Sequence, residues 1–296
     1  MQPSANCYRV TDGNPVQRIP NDQIARAITG VPVQSGSTMT GQLPADWISD
    51  LTGLTYRAAV LWSDRPFGQP EHDVVMYVGF SPGSGIADSR LVVLPGAAEG
   101  NAVVIIYEDK DGNGKYDPNT DKIKWSWHVW NTSYVPSTKW MDRHLGAMTN
   151  APESPTDNLD THGLFYQWGR KDPHPSSGLT THSGYIETNS PYYTAPGVSG
   201  VSFEMRAHNT SNNLSAATAN PLLRYYAEAA GVPDWYTNVI STAHANLWGD
   251  SGNKTVYDPC PAGYRVPKNG EWGSTGWAAS ANLGRINNDY GGYYPY

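Results

Sequence analysis

Glycine and proline set the first limit on this chain: 30 Gly and 23 Pro interrupt almost every stretch of its 296 residues. Inside a helix each Gly costs roughly 1 kcal/mol and each Pro about 3 kcal/mol relative to Ala, so a helical bundle is excluded. Between the breaks lie short apolar runs of strand length, the clearest at residues 56–62, 73–80, 90–94, 101–107 and 123–130. The last of these alternates, with Ile123, Trp125, Trp127 and Val129 on one face and Lys124, Ser126, His128 and Trp130 on the other. Residues 102–106 are continuously apolar, the pattern of a strand covered on both faces. Strands at this spacing with turn residues between them suggest a β-sandwich.

Composition narrows the class further. Charged residues make up 16% of the chain, while 11 Trp and 19 Tyr supply far more aromatic mass than a disordered segment carries. A formal charge of -7 argues against a general nucleic-acid binder, which needs Lys and Arg for phosphates. No run approaches the eighteen or so apolar residues of a membrane span. Met1 directly precedes a polar segment, and the chain reads as a mature exported protein to which an initiator has been added.

Three short helices are expected. Asn21 caps one carrying Ile24 and Ile28, Thr161 opens a second through Leu164 and Trp168, and Asn220-Pro221 opens a third ending at Gly231. Beyond residue 131 strand signals thin out, and Ser, Thr, Asn and Gly dominate residues 173–190 and 208–220. A boundary near residues 131–138 divides the chain into 1–134 and 135–296.

The sharpest local motif runs from Asp109 to Asp121. Oxygen-bearing Asp109, Asp111, Asn113 and Asp117 occupy positions 1, 3, 5 and 9 of a calcium loop, with Gly114 at position 6 and Lys115 offering its carbonyl at position 7. Thr120 stands where a bidentate Glu is usual, and Asp121 one place later is its substitute. The loop lies between two strand-like runs, and Asp, Asn and Gly are also what a tight hairpin turn needs. Ca²⁺ is the cofactor this pattern suggests, at the weak affinity of extracellular sites.

Cys7 and Cys260 lack the close spacing of a zinc site or redox pair. An oxidising compartment would allow one long-range disulfide, and a reducing one would leave two buried thiols. The eight histidines do not cluster; His128 and His144 read as structural, and His162, His174 and His182 as loop residues. Arg170, Lys171 and Asp172 read as a structural ion pair hydrogen-bonded to loop carbonyls. The last residues differ from the rest: Trp277, Asn282, Arg285, Asn287, Asn288, Tyr290, Tyr293 and Tyr294 form a Tyr/Asn-rich stretch almost free of aliphatics. That mixture resembles a binding loop in which Tyr anchors and Asn adapts, and it equally describes an unstructured glycine-rich end.

Several strings carry a resemblance. They are Ala5-Asn6-Cys7-Tyr8, Glu99-Gly100-Asn101-Ala102-Val103, Trp125-Ser126-Trp127-His128-Val129-Trp130, Met141-Asp142-Arg143-His144-Leu145-Gly146-Ala147, residues 164–173 (LFYQWGRKDP), residues 257–267 (YDPCPAGYRVP) and Glu271-Trp272. In these blocks and their order the chain resembles Bacteroidetes fimbrillin-like surface and adhesion proteins with a C-terminal Fibrobacter-type major paralogous domain. The resemblance implies a mainly β and α+β chain: an N-terminal β-sandwich, then a C-type-lectin-like α+β domain with long loops. It also implies export, display on the cell surface, and non-enzymatic recognition of a glycan or protein, at a pilus tip or beside other pilus subunits. Trp125, Trp127, Trp140, Trp168 and Trp272 fall in the blocks and are expected in packing. The strands that close such a module are missing after Tyr296, so an incomplete domain is expected. A structural assembly subunit and a display protein with a diversified lectin-like loop are the alternatives. Catalysis is not expected. The lectin-like fold is similar to that of formylglycine-generating enzymes, but Cys260 lacks the neighbouring cysteine of that chemistry, and neither a nucleophile elbow nor a phosphate loop occurs.

Overall fold

The structure, a computed structural model, describes residues 7–10, 17–19, 34–35, 38–39, 56–69, 71–80, 91–134, 141–150, 163–167, 169–174, 192–196, 198, 201–207, 214–226, 248, 257–261 and 263–266. It is mainly β. The strands are β1 (Cys7–Val10), β2 (Gln17–Ile19), β3 (Gln34–Ser35), β4 (Thr38–Met39), β5 (Tyr56–Ser63), β6 (Val75–Phe80), β7 (Leu91–Pro95), β8 (Gly100–Glu108) and β9 (Lys122–Asn131). After them come β10 (Phe165–Tyr166), β11 (Pro173–His174), β12 (Tyr193–Thr194), β13 (Glu204–Ala207), one short helix α1 (Leu214–Ala219) and β14 (Leu223–Tyr226). Among the described residues no helix is long and apolar enough to cross a membrane.

Five strands form the main sheet in the order β1-β9-β8-β5-β12, and β2-β7-β6 form a second. The central β8 is buried along its whole length, as its uninterrupted apolar run requires. Val103, Val104, Ile105 and Ile106 are β-branched and stiff, which suits a pleated strand packed on both sides. One face of the main sheet shares a core with the second sheet: Ala102, Val104, Ile106, Trp125, Trp127 and Val129 pack with Val74, Val75, Leu91 and Val93. Full burial of each such aliphatic side chain is worth roughly 1.5–3 kcal/mol. Asn131 fastens the sheets at one corner, its amide donating to the carbonyls of Gly96 at 3.0 Å and Ala98 at 2.7 Å.

All five strands expected from the sequence are present, each within two residues of the expected limits at either end. The simple alternation of β9 is not. A bulge between Ile106 and Tyr107 pairs Ile106 with Trp125 but Tyr107 with Ile123. One extra residue flips the side-chain order, so Ile123 joins Val103, Ile105 and Tyr107 on the opposite face from Trp125 and Trp127. Nor is the Ser126, His128 and Trp130 face exposed, for all three are buried.

Residues beyond 134 cover that face. Tyr134, Met141, Leu145 and Met148 pack with Cys7 and Trp130, and Lys171 and Asp172 reach Ser126. β12 pairs with β5, so chain from both sides of the expected 134/135 boundary contributes to one sheet. Two helix expectations are corrected. Phe165 and Tyr166 are extended and pair with His174 and Pro173, which also places His174 in a buried strand rather than a loop. The segment after Asn220-Pro221 is strand β14, parallel to β13, and the helix precedes it instead. Pro221 follows a helix end here, a position as natural for proline as a helix start. The Asn21 helix and Trp140, Trp168 and Trp272 lie outside the described residues.

Candidate metal centre and adjoining cleft

The hairpin linking β8 to β9 is built by its own side chains. The Asp111 carboxylate accepts the Asn113 backbone N–H at 3.0 Å, Asn113 Oδ1 accepts the Lys115 N–H at 2.7 Å, and Asp117 Oδ1 accepts the Asn119 N–H at 2.8 Å. These are successive Asx turns, the reason Asp and Asn recur at alternate places. Gly112 and Gly114 take positive φ, 71° and 78°, where a β-carbon would be strained.

Of the carboxylates expected to hold a cation, the fold gathers three. Asp109, Asp111 and Asp121 each offer a carboxylate oxygen, and these atoms lie within 4.8 Å of one another. Asp121 reaches the cluster because its backbone N–H bonds the Asp117 carbonyl at 2.8 Å, tightening the turn. Its two oxygens accept the N–H groups of Lys110 at 3.0 Å and Asp117 at 2.9 Å. Asn113 and Asp117 also accept N–H groups in the turns, and Lys115 is exposed.

One participant was not anticipated. Arg57 of β5, 52 residues earlier, donates its Nε–H to Asp109 Oδ2, which also accepts the Gly114 N–H at 3.1 Å. The Asp109 side chain is fully enclosed, whereas that of Arg57 is 43% exposed. Burial alone would raise the Asp109 carboxyl; the Arg57 hydrogen bond, the Gly114 N–H and the guanidinium charge outweigh it and hold the group below its ordinary value. A single charged residue in the otherwise apolar run of residues 56–62 was the available signal for Arg57. The neighbouring Tyr107 phenol is pushed up to about 12 by burial and by the Asp109 charge.

A cleft of about 390 Å³ opens beside this loop. Ala58 and Ala59 of β5, Phe67, Met76, and the loop's Gly114 and Lys115 are among its walls. Met76 of β6, also among its walls, is more than half exposed, as is the next residue along the strand, Tyr77.

A second polar cluster is buried. His128 Nε2 lies 2.8 Å from Asn101 Oδ1, and its Nδ1 lies 2.9 Å from the Tyr166 hydroxyl. Asn101 Nδ2 donates to Asp64 Oδ2 at 2.7 Å and to the Gly146 carbonyl at 2.8 Å, which makes its oxygen the acceptor and His128 the Nε2–H tautomer. Burial lowers His128 to about 3, so it is neutral at physiological pH. Arg170, Lys171 and Asp172 form the buried ion pair expected from the sequence: Lys171 Nζ is 2.6 Å from Asp172 Oδ1, and Arg170 donates to the carbonyls of Ala217, Asn220 and Leu223. Both polar clusters join distant segments inside the core.

Cys7 and Cys260 are both buried cysteines, and no disulfide joins them. A parallel bridge sets Pro261, not Cys260, opposite Cys7. The two ends of the described chain nonetheless meet there. Trp277, Asn282, Arg285, Asn287, Asn288, Tyr290, Tyr293 and Tyr294 lie outside the described residues. Comparison with protein families, curated proteins and solved structures finds no match to this chain.

Proposed function

We propose that this is an exported, non-enzymatic recognition protein of the cell surface, an adhesin that holds a glycan or protein ligand. The observation that carries the reading is the cleft of about 390 Å³ walled by β5 and the acidic loop, with the exposed Met76 among its walls. An exposed apolar side chain beside a concavity that Lys115 also lines suits a ligand with one apolar and one polar side. The ordered blocks from Ala5 to Trp272, similar to fimbrillin-like surface proteins, support the same conclusion from the sequence. In this reading the sheets that share a core are an N-terminal β-sandwich over residues 1–134, and residues 135–296 are a lectin-like module seated against it. Affinity at each site is weak and gains strength from display of many copies.

The test is an array of glycans and surface proteins probed with the full chain. Binding above background is expected, and a Met76→Asp/Lys115→Glu double variant should weaken it at least tenfold if the cleft is used. A Tyr293→Ala/Tyr294→Ala variant reports on the Tyr-rich end in the same way. Binding unaffected by either variant would overturn these two surfaces.

A second reading, an assembly subunit, is favoured by one feature. Met76 and Tyr77 lie on β6, the edge of the three-stranded sheet, where exposed apolar side chains invite a neighbouring chain. Self-association that the same Met76→Asp change abolishes would favour it over ligand binding.

A further inference from the structure

The loop between β8 and β9 gathers more negative charge than its hydrogen bonds use. Asp109, Asp111 and Asp121 bring three carboxylates within 4.8 Å, and among the described residues Arg57 is the cation seen paired with them. Asp109 supplies the independent sign. Its side chain is fully enclosed, one oxygen accepts from Arg57 and Gly114, and the other, Oδ1, is buried with no hydrogen-bond partner. A carboxylate oxygen shut away from water without a donor is costly, and a metal ion is the partner that would satisfy it beside two further carboxylates.

We propose that Asp109, Asp111 and Asp121 bind Ca²⁺, and that Arg57 is an internal competitor for the same negative charge. The choice of ion follows from the donors. All three are hard oxygens, with no His or Cys in the cluster to suit zinc. Ca²⁺ accepts irregular sets of six to eight oxygens, whereas Mg²⁺ demands a near-ideal octahedron that a hairpin of Asx turns does not prearrange. Asp121 takes the part of the missing acid at Thr120, held in place by the N–H groups of Lys110 and Asp117.

The competition follows from charge and position. Arg57 lies against the loop closely enough that a β-carbon on Gly114 would sit 3.7 Å from its Cζ. Its guanidinium already neutralises part of the site, so an arriving dication must share Asp109 with it or displace it. Arg57 is partly exposed and can swing into water at little cost. A weak site is therefore the native state of affairs, and removing Arg57 should tighten it.

The experiment titrates Ca²⁺ into the chelator-treated full chain by calorimetry, with thermal unfolding in parallel, for the wild type, Arg57→Met, Arg57→Lys and Asp121→Asn. One equivalent should bind the wild type at roughly 10⁻⁴–10⁻³ M, as in weak extracellular sites. Arg57→Met should bind roughly three- to tenfold tighter, the range for losing a partly exposed ion pair to a carboxylate. It should also gain more thermal stability from Ca²⁺, because its Asp109 has lost its cation. Arg57→Lys should fall between the two, and Asp121→Asn should bind at least tenfold more weakly. Absence of heat and of any thermal shift in both wild type and Arg57→Met would overturn the site. Equal affinity in wild type and in Arg57→Met and Arg57→Lys proteins with native circular dichroism would overturn the competition while leaving the site. Equal response to Mg²⁺ would overturn the choice of ion.

Discussion

Replacing Asn101 by Ala should unfold this protein more readily than any exposed polar change. The buried Asn101 side chain touches three separated segments: Asp64 after β5, His128 in β9 and the Gly146 carbonyl in the 141–150 loop. The bond to the Asp64 carboxylate is worth about 1.5–3 kcal/mol, and each of the two neutral ones about 1 kcal/mol. The His128 N–H and the Gly146 carbonyl would be left in the core without this partner, which adds to the loss. The combined effect is about 4 kcal/mol, a large part of the 5–15 kcal/mol that holds a typical domain together. At this chain length that is about a 6 °C fall in Tm. Urea unfolding followed by tryptophan fluorescence is a suitable assay, since Trp127 and Trp130 flank His128 in β9 and are buried. Glu71→Ala, on an exposed turn, is the control and should stay within about 0.5 kcal/mol of the wild type. A loss below about 1 kcal/mol for Asn101→Ala, with m unchanged, would refute the idea that this side chain ties the three segments.

The buried His128 makes stability depend on pH in a definite direction. Its folded value is about 3 against an ordinary value of 6.5, so the unfolded chain binds the extra proton throughout that window. Its contribution is complete above about 6.5 and is lost as pH falls toward 3, at up to about 1.4 kcal/mol per pH unit. The urea midpoint of His128→Gln should vary less between pH 7 and pH 4.5 than that of the wild type; identical profiles would contradict this. Asp172→Asn should cost about 3–5 kcal/mol, because Lys171 and Arg170 would stay buried without their counter-charge. Differential scanning calorimetry at neutral pH measures it, and a shift under 2 °C would show that the pair is not structural.

The parts of this fold that could be read from the sequence are the parts written in local pattern. β8 announces itself because five successive apolar residues cannot be half-exposed, and the acidic hairpin because Asp, Asn and Gly alternate. What escaped was set by partners far away in the chain. The bulge that turns Ile123 to the opposite face exists only in the pairing of β8 with β9. Pro221 reads equally as the start of one helix or the end of another, and pairing of Leu223–Tyr226 with β13 decided between them. At the acidic loop the pattern marked six oxygen-bearing positions. The folded hairpin gathers the carboxylates of three and turns Asn113 and Asp117 to hydrogen bonding within the loop. Arg57 meets Asp109 only because β5 and β8 are antiparallel neighbours, with Arg57 opposite Tyr107.

In the proposed function this chain recognises a ligand at its surface and does not transform it. The most direct measurement incubates the full chain with a pooled glycan and surface-protein library, then recovers and weighs whatever stays bound. A retained ligand of unchanged mass is expected, released by the Met76→Asp/Lys115→Glu change or by alteration of the Tyr-rich end. A retained ligand returned cleaved or modified, or nothing retained by the intact chain, would contradict it.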